Sequence, residues 1–74
     1  MPTSRRPPSE ARKTFGVRVR ARRHALNLTL EDLAERADLN WSYIAQVERG
    51  IRNVSIDNMA ALADGLNVEL RDLL

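Results

Sequence analysis

The chain has no cysteine, which removes a disulfide framework and any thiolate metal site. Its one histidine, His24, cannot form a metal cluster or a catalytic pair with another histidine. No apolar run approaches the roughly 20 residues that span a bilayer, and nothing near the N-terminus reads as a signal peptide. These absences predict a soluble, cytoplasmic protein. There is no Gly-rich phosphate loop, no Ser-His-Asp set and no pair of carboxylates on a plausible cleft. The expectation is therefore a chain that is not an enzyme, with no catalytic residue, metal or cofactor, and with no small-molecule ligand evident. Strand signals and internal repeats are missing as well. What remains is 74 residues, enough for one small domain with a thin core that oligomerisation often completes.

The net charge is only +2, but it is divided unevenly. Residues 1–27 carry eight basic side chains against Glu10 alone, a balance of +7. Residues 28–74 carry four arginines against nine carboxylates, a balance of −5. A basic half points to a polyanion partner, and equally to a solvated helix face with a basic tail. Residues 1–8, MPTSRRPP, hold three prolines and no apolar pattern, and read as a disordered basic tail. The ordered domain is expected over residues 9–74.

Helical periodicity accounts for that domain. Ser9 is a plausible N-cap. Phe15, Val19 and Leu26 then fall on one face of a first helix, where Gly16 lowers propensity and marks a close helix contact. Asn27 ends it in the left-handed C′ position. Leu30, Leu33, Ala34 and Ala37 form the face of a second helix, started by Thr29 and Asp32 in a capping-box-like arrangement. Asp38 suits a left-handed turn residue, and Asn40 can cap a third helix. In that helix Ile44 and Val47 point inward, leaving Trp41, Ser42, Tyr43, Ala45, Gln46 and Arg49 outside. Gly50 closes it. Ser55 caps a fourth helix with Ile56, Met59, Leu62, Ala63 and Leu66 on its apolar face, and Asn67 ends it. Glu69 to Leu74 reads as a last short helix. Two short helices about a tight turn, the second with hydrogen-bonding side chains outward, suit a major-groove reader; an ordinary helical hairpin with a solvated face is the plainer alternative.

The stretches LTLEDLA, SYIAQVERG and LNVELRDLL, with a serine-capped helix between the last two, resemble the lambda-repressor-like (XRE-type) helix-turn-helix family from about Phe15 to Leu74. VERGIRNVSIDN is similar to the short controller proteins of restriction–modification systems. The resemblance implies an all-α, five-helix fold, sequence-specific binding to double-stranded DNA, and a homodimer on a palindromic operator. It implies a DNA-facing role for Ser42, Tyr43 and Gln46, with Asn40, Trp41 and Arg49 on the same helix or at its edges. It sets Thr29 and Leu30 near a phosphate, and Arg52 and Asn53 in a loop approaching the backbone or a base edge. It further implies an ion pair between Arg23 and Glu48 that fixes the recognition helix. Two positions depart from the pattern. Leu30 stands where many relatives have Gln, and Trp41 where controller-like relatives often have a polar reader. Trp41 therefore has two readings, packed against a neighbouring helix or lying in the groove. Tyr43 is expected to keep its hydroxyl free for a phosphate, and Gln46 to read adenine.

Val54, Ile56, Met59, Leu70, Leu73 and Leu74 supply more apolar surface than a thin core can bury, and are the expected dimer contact. The competing function is an antitoxin-type module that binds a protein partner and autoregulates.

Overall fold

The computed structural model describes residues 9–74. The tail expectation and Arg5 and Arg6 lie outside the described residues. Four α-helices follow one another: α1 (Glu10–Ala25), α2 (Leu30–Ala37), α3 (Trp41–Glu48) and α4 (Ile56–Gly65). A single 3₁₀ turn, Leu70–Leu73, closes the domain where a fifth helix was expected. Its bonds run i to i+3, Asp72 N–H to Glu69 O and Leu74 N–H to Arg71 O, the geometry of a one-turn segment. The class is all-α, as the pattern of the sequence predicts.

Each helix begins on a side-chain oxygen that satisfies an otherwise orphaned N–H. Ser9, Thr29, Asn40 and Ser55 accept from the backbone of Arg12, Asp32, Ser42 and Asn58. At α2 the cap is reciprocal. The Asp32 carboxylate accepts from Thr29 N–H at 2.9 Å, while Thr29 Oγ1 accepts from Asp32 N–H at 3.0 Å. The helix exits are left-handed: Asn27, Asp38 and Asn67 all have φ between 55° and 57°. Gly50, at φ 75°, serves α3 in the same way.

The core is Phe15 and Val19 from α1, Leu33 and Ala37 from α2, Ile44 and Val47 from α3, Leu62, Ala63 and Leu66 from α4, and Leu73. These faces put α1 and α2 against α3, α2 against α4, and the closing turn against α1 and α4. Gly16 lets α1 approach α3: a Cβ there would run into the carbonyl oxygens of Val47 and Glu48. Two arginines complete the exit of α4. Arg22 of α1 donates to Leu66 O at 3.1 Å and Arg36 of α2 donates to Gly65 O at 3.0 Å.

Two expected apolar positions differ. Leu26 is only half-buried, because it is the C-cap of α1 and the helix face has already ended. Ile56 is exposed, because the buried part of α4 begins at Leu62, more than a turn later.

Candidate nucleic-acid interface

The turn between α2 and α3 fixes their relative direction. Asp38 takes the left-handed conformation, and Leu39 N–H returns to Ala34 O at 3.0 Å. Asn40 then opens α3. Its Oδ1 accepts from Ser42 N–H at 2.8 Å and from Ser42 Oγ at 2.5 Å.

The other end of α3 is tied to α1 by a fork. Arg23 Nε donates to Glu48 Oε2 at 2.6 Å and Nη2 donates to Oε1 at 2.9 Å. A third bond from Nη1 reaches Leu28 O at 2.9 Å, between α1 and α2. Both side chains are nearly out of solvent, 10 % and 7 % exposed. Chiefly through the hydrogen bond, Glu48 raises the Arg23 pKa further above its already high value, so the guanidinium stays charged. Planar two-point pairing sets angle as well as distance. Arg23 and Glu48 therefore meet as the resemblance implied, and hold α3 from behind.

The outer face of α3 is more internally bonded than its spacing suggests. Trp41 is about half exposed, at 51 %, at the first helical position and outside the core. The Ser42 hydroxyl spends its proton on Asn40, leaving only lone pairs for a ligand. The Tyr43 hydroxyl is not free. Its oxygen accepts from Asn58 Nδ2 of α4 at 3.1 Å, and the ring packs on the core. The phenolic proton alone remains to be donated. Gln46 Oε1 accepts from Arg52 Nε at 2.5 Å, and the Arg52 guanidinium lies 5.3 Å from the Tyr43 ring centroid. Arg52 is thus brought to Tyr43 and Gln46. Arg49 and Asn53 are exposed on either side.

At the start of α2, Thr29 spends its N–H and one hydroxyl lone pair on the cap and keeps its hydroxyl proton to donate. Leu30 is half-buried, and Glu31 and Asp32 place two carboxylates on that helix end. The bond from Thr29 N–H lowers the Asp32 pKa, so the helix terminus is already answered by an anion. A phosphate there would meet the Thr29 hydroxyl proton and the backbone N–H groups of Leu30 and Glu31.

The basic half is partly consumed inside the fold, since Arg22 and Arg23 cap and pair. Arg18 and Arg20 are exposed on α1. Of the six apolar residues expected at a dimer contact, Ile56 and Leu74 are the most open, at 61 % and 60 %. Val54, Met59 and Leu70 are half-buried. Leu73 is a correction: at 2 % exposed it belongs to the protomer's own core, drawn in by the 3₁₀ turn against α1 and α4. Sequence reasoning passed over Asn58 and Ile51. Asn58 matters only through the crossing of α3 and α4, for which no local pattern exists. Ile51, half exposed after Gly50, is an apolar loop residue that could have been flagged.

Among the described residues no helix is long and apolar enough to cross a membrane, and no cluster of His, Asp or Glu has the makings of a metal site.

Residues 19–73 match the helix-turn-helix family. The chain is 44 % identical over 64 residues to the control protein C.BamHI of Bacillus amyloliquefaciens, covering 85 % of this chain and 79 % of that one. Its fold is similar to the restriction–modification controller protein C.AhdI of Aeromonas hydrophila, with TM-score 0.85 and 42 % identity over 89 % of this chain and all of that one. It is also similar to the controller protein C.Esp1396I, solved as a tetramer with its natural 35-base-pair operator. There the TM-score is 0.79 at 30 % identity, covering 82 % and 80 % of the two chains.

Proposed function

The chain belongs to the helix-turn-helix family, and from that premise we propose that it is a sequence-specific regulator of transcription, of the restriction–modification controller type, which binds double-stranded DNA as a homodimer on a palindromic operator. The observation that carries this reading is α3 itself. It is short, capped at Asn40, clamped from behind by the Arg23–Glu48 fork, and turns Trp41, Ser42, Gln46 and Arg49 outward. A rigid helix with polar ends outward is what the major groove admits.

In this reading Ser42 accepts from a base amino group, and Gln46 contacts a base edge. Trp41 lies against a thymine methyl or a sugar, and Arg49 and Asn53 reach the backbone. Tyr43 donates its remaining proton to a phosphate while Asn58 holds its oxygen. Leu30 offers its N–H beside the capped α2 terminus. One such helix covers only a few base pairs, so a two-fold dimer sets a second helix about one DNA turn away, roughly 34 Å. Val54, Ile56, Met59, Leu70 and Leu74 form the surface offered to the partner protomer. The likeness to C.BamHI and C.AhdI, and to C.Esp1396I as solved on its operator, supports this reading.

The test is fluorescence anisotropy on duplex DNA selected by the protein, across a range of salt. The logarithm of affinity should fall linearly with the logarithm of salt, with a slope near −0.9 per phosphate neutralised. An affinity that ignores salt, or that is equal for selected and scrambled duplexes, rejects the reading.

A further inference from the structure

A glutamine reads adenine by using both ends of its amide: the carbonyl accepts from the base N6 amino group while the NH₂ donates to N7. In this structure the carbonyl end of Gln46 is occupied. Arg52 Nε donates to it at 2.5 Å, a charge-assisted bond of the stronger kind. Arg52 is itself restrained, because its guanidinium stacks over the Tyr43 ring at 5.3 Å from the centroid. Tyr43 is restrained in turn by the core beneath it and by Asn58 Nδ2 at 3.1 Å. A continuous set of contacts thus runs from α4 through Asn58, Tyr43 and Arg52 to the carbonyl of Gln46. That bond takes one lone pair of the Gln46 carbonyl, and the cationic guanidinium against it repels a second N–H donor, so the two amide hydrogens are the end of that side chain turned to a partner.

Resting on the DNA-binding reading above, we propose that Arg52 is a specificity-determining residue that acts through Gln46, holding its carbonyl so that it reads DNA as a donor only and selects guanine over adenine. Guanine presents two adjacent acceptors, N7 and O6, to the major groove. Adenine presents an acceptor beside an amino donor, which would face the Gln46 amide hydrogen to hydrogen. Arg52 is a positioning residue here: its effect on base choice passes through the Gln46 amide.

Selection of bound duplexes from a random pool tests this, using the parent chain, Gln46→Ala, Arg52→Ala and Arg52→Lys, with folding checked by circular dichroism. Arg52 is exposed, so its substitution leaves the core intact. The parent should enrich a motif with guanine at the one position where Gln46→Ala loses all preference. Arg52→Ala should move that position to adenine, a change in the guanine-to-adenine ratio of roughly 5- to 150-fold, with the rest of the motif unchanged. Arg52→Lys restores a cationic N–H donor for the Gln46 carbonyl and should keep guanine, a rescue by the conservative variant. Guanine retained in Arg52→Ala overturns the proposal, as does adenine in Arg52→Lys, and so does an evenly weakened motif or no enrichment in Arg52→Ala, which makes Arg52 an affinity contact. Adenine selected by the parent overturns it too, because the pair then opens on binding. A parent chain that enriches nothing defeats the DNA-binding reading itself, a result distinct from all of these.

Discussion

Glu48 keeps only 7 % of its side chain in solvent, and both of its oxygens are spent on Arg23. A buried charge whose partner is removed has nowhere to go, and such truncations cost about 3–5 kcal/mol. Glu48→Ala should therefore lower the thermal midpoint by roughly 12 °C or more in a domain of this size. The double substitution Arg23→Met with Glu48→Leu should recover part of that loss, because it removes both charges and leaves apolar bulk. A midpoint equal to the parent's in Glu48→Ala would deny the fork any part in stability. Asp32 acts by a different route. The N–H of Thr29 is the main cause that holds its pKa below the ordinary value, so the folded state favours the carboxylate. The stability this gives is present in full above about pH 4, where an unperturbed Asp is ionised, and is lost as pH falls through the lower folded-state value. The difference in thermal midpoint between the parent and Asp32→Asn should accordingly be seen at pH 7 and shrink at pH 3. An unchanged difference at the two pH values would mean that the bond, and not the charge, is what matters.

At the scale of the element, α3 has eight residues, too few to persist as a helix in water without the packing around it. Its identity was still legible in the chain, because its limits are chemical. Asn40 caps it and Gly50 ends it, while Asp38 turns the chain just before. The same holds for α1, α2 and α4, whose caps at Ser9, Thr29 and Ser55 and exits at Asn27, Asp38 and Asn67 each answer a local backbone need. Local needs leave local marks. The contacts that escaped the reading join elements distant in sequence. Asn58 on the Tyr43 hydroxyl and Arg22 and Arg36 on the last carbonyls of α4 depend on how helices cross. Arg52 folded onto Gln46 depends on the path of a loop, which periodicity does not describe. Leu73 and Ile56 show the same limit at element ends. The helical pattern says which residues share a face, but not where along the helix that face meets another.

For the molecule as a whole, the proposed homodimer would cover the apolar side chains left open at the start of α4 and at the C-terminal turn. Ile56→Asp and Leu74→Asp together should convert a dimer to a monomer by sedimentation at micromolar concentration, with the helical content unchanged. A dimer that survives the double substitution would move the contact elsewhere. The clamps on α4 matter here for a different reason. Because Arg22 reaches Leu66 O from α1 and Arg36 reaches Gly65 O from α2, the end of α4 cannot fray without breaking its bonds to two other helices. In heavy water, the amide hydrogens of Leu62, Ala63 and Leu66 should then exchange only through global opening, with rates that rise steeply with added urea, while those of residues 52–54 exchange at once and ignore urea. Arg36→Ala should give the last turn of α4 its own opening, and its exchange should lose the urea dependence that the rest of the core keeps.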